Sequence, residues 1–140
     1  MSDLVQALKA EHVNIGKILA KTSELGIHSE EGRKALTAAK TALLAHLQRE
    51  DEHLYPILWN AASDDPILHD ALDFFSKDIA GVGEAAIAFF EKHETGTMID
   101  DFAHDLSELM GILVQRIQKE ESVIYKMFDQ LDFSQNVAPA

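Results

Sequence analysis

Apolar residues recur at intervals of three and four along four stretches of the chain, and turn-forming residues separate the stretches. At 3.6 residues per turn that period puts each apolar set on one face of a helix. The first stretch carries Leu4, Leu8, Ile15 and Leu19, and His12 takes the missing place in the series. Ser2 is its predicted N-cap and Gly26 its left-handed stop. Ser29, followed by Glu30 and Glu31, opens a second helix that runs toward Asn60, and Pro56 should bend or loosen its last turns. Asp64-Asp65-Pro66 reads as a cap followed by proline at the first helical position. The third helix then carries Leu68, Leu72, Phe75, Ile79, Val82, Ala86 and Phe89. Gly81 and Gly83 inside it each cost about 1 kcal/mol of helix propensity, which points to a close helix–helix approach. After a break at Glu94-Thr95-Gly96, Thr97 with Asp100 makes a capping pair for the fourth helix. Its stripe runs Phe102, Leu106, Leu109, Leu113, Glu120 and Ile124.

Four amphipathic helices on short loops, with no strand pattern, predict an all-α fold, an up-down-up-down antiparallel four-helix bundle. At 140 residues the chain is one domain, with the bundle over 1–132 and a flexible tail over 133–140. No internal repeat beyond the helical pairs is expected.

The stripes are interrupted by groups that do not belong in a core. In residues 43–57, LLAHLQREDEHLYPI, His46, Glu50 and His53 share a helical face with Leu43, Leu54 and Ile57. Burying imidazoles and a carboxylate is costly unless a metal, a partner charge or water satisfies them. A His and a Glu four residues apart also offer two ligands to one ion. With the helices laid antiparallel at about 1.5 Å per residue, His12, His46, Glu50, Arg116 and Glu120 reach one level. The third helix offers only Leu72, Phe75 and Ile79 at that height, with His69 a turn lower and nearer His53. His28 and His93 at loops, and His104 facing away from the Leu113/Glu120 stripe, read as surface residues. Tyr55 and Tyr125 read as packing residues with a polar tip at the bundle end.

Composition narrows the chemistry. Without cysteine there is no zinc ribbon, iron–sulfur cluster, redox CxxC motif or disulfide, which fits a reducing compartment. A net charge of −12 repels nucleic-acid phosphates and anionic membrane surfaces. No leader pattern opens the chain and no apolar run is long enough to span a bilayer, so a cytoplasmic protein is expected. No Ser/His/Asp set is apparent, and an enzyme is the least supported reading.

The EH of LKAEHVNI, the HxxxE of HLQRED followed by LYP, and RIQKEESVIY together resemble the hemerythrin-like (HHE cation-binding) domains, over about residues 3 to 130. The resemblance implies a non-haem di-iron centre held by histidines and carboxylates, with dioxygen binding, oxygen or redox sensing, or iron handling as its use. Carried over residue by residue, His12, His46, Glu50 and Glu120 match ligand positions. His53 and, more weakly, His69 are further candidates that match no family position. The chain departs from the family at Arg116, where the fourth-helix histidine belongs, and at FFSKDIAGV, where the third-helix histidines belong. Two readings follow. One is a metal-binding protein with one or two non-haem iron ions, or manganese or zinc, and open positions for dioxygen or another small diatomic ligand. The other is a metal-free regulatory or protein-interaction module, of the class of four-helix regulators that bind sigma factors. There Arg116 replaces the metal's charge and bridges to Glu50 or Glu120.

Overall fold

The computed structural model describes residues 2–94 and 101–137. Its helices are α1 (Asp3–Leu25), α2 (Glu30–Arg49), α3 (Tyr55–Ala62), α4 (Pro66–Glu94), α5 (Phe102–Lys119) and α6 (Tyr125–Val137). A wide π-helical turn, Glu50–Leu54, joins α2 to α3, and a second, Glu120–Ile124, joins α5 to α6. The six segments thereby form the four rods of the expected up-down-up-down bundle. The described residues contain no strand, and none of their helices is long and apolar enough to cross a membrane.

The rods begin and end where the local chemistry dictates. Ser2 Oγ accepts from the Val5 amide at 3.1 Å and Ser29 Oγ from the Gly32 amide at 3.0 Å. Asp65 Oδ1 accepts from the amides of Ile67 and Leu68 ahead of the Pro66 helix. Each side chain satisfies an amide that the helix cannot pair internally. Gly26 stops α1 at φ 69°, a region that side chains avoid, and its amide returns to the Thr22 carbonyl at 2.8 Å. Gly32 is fixed by space, since a Cβ there would run into the Gly26 carbonyl. Gly81 and Gly83 do not mark the close approach expected of them, because a Cβ on either would meet nothing within 4 Å. The Ile79 side chain and the Thr97–Asp100 pair lie outside the described residues. α6 continues to Val137, past the position where the tail was expected to begin.

The π turns are the main departure from four regular helices. In each, an amide reaches five residues back: Tyr55 to the Glu50 carbonyl and Tyr125 to the Glu120 carbonyl. Pro56, which lacks an amide hydrogen, follows the first turn, but no proline accompanies the second. Proline alone therefore does not account for them. One extra residue in a turn rotates everything after it by about 100°. A regular helix would have kept His53 and Ile57 on the buried face. The π turn instead keeps Leu54 inward and brings Leu58 in beside it, both 0% exposed, and leaves Ile57 41% exposed.

The core has two apolar clusters. One gathers Ile15, Leu19, Leu43, Val82, Phe90, Leu106 and Leu113, and the other Val5, Leu8, Leu54, Leu58, Leu72, Ile124 and Phe128. Between them along the rods lie His12, His46, Glu50, Arg116 and Glu120, all buried. The apolar clusters hold the bundle, and the polar level is what they hold in place.

Stability should separate the glycines accordingly. Gly83→Ala should raise the unfolding free energy by about 0.5–1 kcal/mol, the ordinary helix-propensity gain. Gly32→Ala should lower it, and Leu58→Ala should lower it by about 2–5 kcal/mol through the cavity it leaves. Urea titrations of the three variants check the order.

Candidate metal centre

His12 comes from the middle of α1, His46 from the end of α2, and Glu50 and Glu120 from the first residues of the two π turns. Each offers one ligand atom to a common point, and these four atoms lie within 4.8 Å of one another. His46 Nε2 stands 3.5 Å from Glu50 Oε1, and His12 Nε2 stands 3.6 Å from Glu120 Oε1. The two imidazole rings are 4.5 Å apart between centroids.

The outward nitrogens show which way the rings are set. His46 Nδ1 is 2.8 Å from Glu11 Oε1, and His12 Nδ1 is 2.8 Å from Glu121 Oε2. An ionised carboxylate only accepts, so Nδ1 of each ring donates and Nε2 faces the cluster. Arg49 Nε holds Glu11 from outside at 3.1 Å. Carboxylates bonded to the far nitrogen of metal-ligating histidines orient the ring and raise its basicity. The two pairs are reciprocal: the residue beside His12 orients His46, and the residue beside Glu120 orients His12.

The carboxylates have their own partners. Tyr125 donates to Glu50 Oε2 at 2.8 Å, and Tyr55 donates to Glu120 Oε2 at 2.9 Å. Each tyrosine serves the glutamate of the other π turn. The Tyr125 oxygen also lies 3.1 Å from His12 Nε2. After these bonds are made, His46 Nε2 and Glu50 Oε1 remain buried without a hydrogen-bond partner among the described residues. A lone pair on nitrogen and a carboxylate oxygen, facing each other in a desolvated core, are the donors a cation would take.

Electrostatics agree with that picture. Burial, and then the neighbouring Glu120 charge, push the Glu50 carboxyl up to about 10. Burial works to raise Glu120 as well, but hydrogen bonds from His12 and Glu50 outweigh it and hold Glu120 below the usual carboxylate range. The two carboxyls thus keep one proton in the metal-free protein. Burial would lower His12, yet the hydrogen bonds and charges of Glu120 and Glu121 together raise it. Burial prevails at His46, whose pKa is lowered. Burial also pushes both tyrosines up, so they remain O–H donors.

Several sequence expectations change here. His53 and His69 lie outside the cluster, with side chains 63% and 56% exposed. Arg116 is buried, but it bridges to neither glutamate; its Nη2 donates to the Phe75 carbonyl of α4 at 3.0 Å. Tyr55 and Tyr125 belong to the site and do not merely pack a bundle end. His93 is no surface residue either. α4 runs on to Glu94, so His93 sits one turn after Phe89, between Phe89 and Phe102, with Nε2 2.8 Å from Asp105. His28 and His104 are exposed as expected. The sequence reading missed Glu11, Glu121 and the two tyrosines as partners of the cluster. The signal was present as Glu-x4-Tyr, which occurs at Glu50–Tyr55 and again at Glu120–Tyr125.

The cluster sits at the waist of a four-rod bundle. The model of the hemerythrin HHE cation binding domain matches residues 3–128. The chain belongs to that family. No curated protein and no solved structure matches it. In this hemerythrin HHE domain an arginine, Arg116, stands four residues before Glu120, and the third rod presents Leu72 and Phe75.

The proton held by the carboxyl pair gives the metal-free protein a pH dependence. Glu50 binds its proton in the folded state up to about pH 10 but loses it near its ordinary value once unfolded. The native state therefore holds more protons than the unfolded state between those limits, and stability falls as pH rises. The raised His12 pKa acts in the same direction, and the lowered His46 pKa is without effect above about pH 7. Chelator-treated protein should show a urea midpoint that declines steadily from about pH 7 to 10. Glu50→Gln should flatten that decline.

Proposed function

We propose that this domain holds one non-haem iron ion through His12, His46, Glu50 and Glu120, and uses it to bind or sense dioxygen or another small diatomic ligand. The observation that carries the reading is the buried, unpartnered pair His46 Nε2 and Glu50 Oε1 at the focus of the four ligands. The spacing suits a single ion. Two donor atoms each about 2.1 Å from one ion lie about 3.4 Å apart at a tetrahedral angle. The corresponding pairs here are 3.5 and 3.6 Å apart. A donor set of two imidazoles and two carboxylates without sulfur suits iron, with manganese and zinc as the other candidates. Arg116 and the apolar third rod supply no further donor at this level, which favours one ion over two.

Bound iron would supply a redox-active centre with coordination positions left for a small ligand. The chain's own part is to orient and to insulate. Glu11 and Glu121 fix the two rings with Nε2 inward. Tyr125 and Tyr55 fix one oxygen of each carboxylate, leaving Oε1 of each toward the imidazoles. The apolar clusters on both sides exclude water. Loading the site releases the proton shared by the carboxyls and any proton on His12 Nε2, so affinity should rise with pH.

Protein purified without chelators is expected to contain about one iron per chain. His46→Ala should remove it, and Glu11→Gln should weaken binding about 10–100-fold by loosening the His46 ring. Iron-free protein with unaltered His46→Ala behaviour would overturn the reading.

The second reading, a metal-free regulatory or interaction module, draws on Arg116 standing in a ligand position. Arg116→His distinguishes the two. If the site takes iron, the substitution should raise iron content per chain and strengthen any charge-transfer absorption, with little loss of stability. A variant that binds no metal and melts far lower would favour the module.

A further inference from the structure

Arg116 faces a second opening that the metal reading leaves unused. Between α4 and α5 lies a pocket of about 280 Å³ whose polar rim is Arg116, Lys119, Gln115 and Asp78. Gly81, Val82 and Ile112 make the rest of its wall. Arg116 is only 6% exposed; its Nη2 donates to the Phe75 carbonyl, and among the described residues its buried Nε has no partner. Lys119 stands 3.4 Å from Asp78 and offsets it, which leaves the guanidinium as the rim's net charge. In a chain of net charge −12, a buried and under-bonded cation opening onto a pocket is an exception that calls for an anion.

We propose that this pocket binds a small monocarboxylate through Arg116. A guanidinium matches a carboxylate in a planar, two-pronged bond. The Gln115 amide can donate beside it. Val82 and Ile112 give an alkyl group of a few carbons an apolar wall. The volume lies just under the range of drug-sized sites, which limits the ligand to the size of propionate or a short 2-oxo acid. One net positive charge, with Asp78 at the rim, favours a monoanion over phosphate, whose second charge would face that carboxylate. The missing side chain at Gly81 keeps the pocket open: a Cβ there would meet nothing within 4 Å. The inference stands apart from the metal reading, because neither the ligand nor its contacts involve His12, His46, Glu50 or Glu120.

The test is a titration of chelator-treated, isotope-labelled protein with sodium propionate, followed by amide NMR shifts, with sodium chloride and inorganic phosphate as parallel arms. Propionate should saturate with a Kd of about 1 mM or tighter, with shifts centred on residues 78–82 and 112–119. Gly81→Leu fills the pocket without touching the core; it should weaken propionate at least about tenfold while melting no lower than the parent. Arg116→Lys keeps the charge but loses the fork, and it should weaken binding to a similar degree. Propionate shifts no larger than those of chloride would overturn the proposal. So would phosphate binding as tightly as propionate, or Gly81→Leu binding as well as the parent.

Discussion

Glu50 and Glu120 sit in the middle of an apolar bundle, and among the described residues no lysine or arginine forms an ion pair with either. Taking a carboxylate out of water costs several kcal/mol even after the protein relaxes. The surroundings answer that cost in three ways. A tyrosine hydroxyl bonds one oxygen of each carboxylate. His12, set by Glu121, lies against Glu120 and keeps it ionised. Glu50 is left to hold a proton instead. One oxygen of Glu50 and one nitrogen of His46 still have no partner. Hydrogen bonding inside the protein thus stops one positive charge short of a satisfied core. Replacing the proton by a cation completes the set, and that shortfall is the physical reason to read the level as a metal centre.

The π turns follow from the same demand. Each begins on a buried glutamate and ends before a buried tyrosine, so the extra residue lets two polar side chains five apart point to one level. In a regular helix, residues five apart differ by about 140°, and the tyrosine would have left the cluster. π turns are uncommon and tend to mark functional positions. Here the mark is double, at equivalent places in the second and fourth rods. The tyrosines cross over, each to the opposite glutamate, so the two turns are tied to one another through the site.

The sequence was most legible where a single helix carried the signal. The caps at Ser2, Ser29 and Asp65, the stop at Gly26 and the stripes of the rods up to the first π turn follow from local spacing and appear as expected, with Ile79 outside the described residues and Ile57 turned out beyond that turn. The level shared by His12, His46, Glu50 and Glu120 was also legible, because helix rise converts residue number into height. What was hidden depends on a change of period or on a contact between rods. At 3.6 residues per turn through Glu50–Leu54 His53 would face inward, and the π turn there rotates it out. Arg116 bridges to a glutamate only under the metal-free reading; its long side chain turns instead to the α4 backbone, a choice that spacing on its own helix cannot show. His93 reads as a loop residue from its place beside the Glu94-Thr95-Gly96 break, but Phe89, Phe102 and Asp105 enclose it, and the contacts with Phe102 and Asp105 come from another rod. The orienting roles of Glu11 and Glu121 needed the cross-rod geometry, although both are direct neighbours of ligands in sequence.

The two halves of the chain share a register but not the chemistry of its first position. His46, Glu50 and Tyr55 have the spacing of Arg116, Glu120 and Tyr125, so Arg116 occupies the place of an imidazole in the second half. A guanidinium stays protonated and has no lone pair to give. It cannot be a ligand, and at this level it opposes a second cation by charge. Its effect on the first half is milder. Arg116 favours the ionised form of Glu50 but ranks behind burial and the neighbouring Glu120 charge, which hold Glu50 protonated. The second half therefore has no imidazole donor at this position, while His46 and Glu50 of the first half face each other in the cluster. Arg116 also turns its buried side chain toward the α4–α5 face, where a pocket opens onto it. A residue that had merely lost its metal would be expected to give way to an apolar side chain, since an under-bonded buried cation is costly. That Arg116 is a cation bordering a pocket is easier to understand if the charge has an anion to meet.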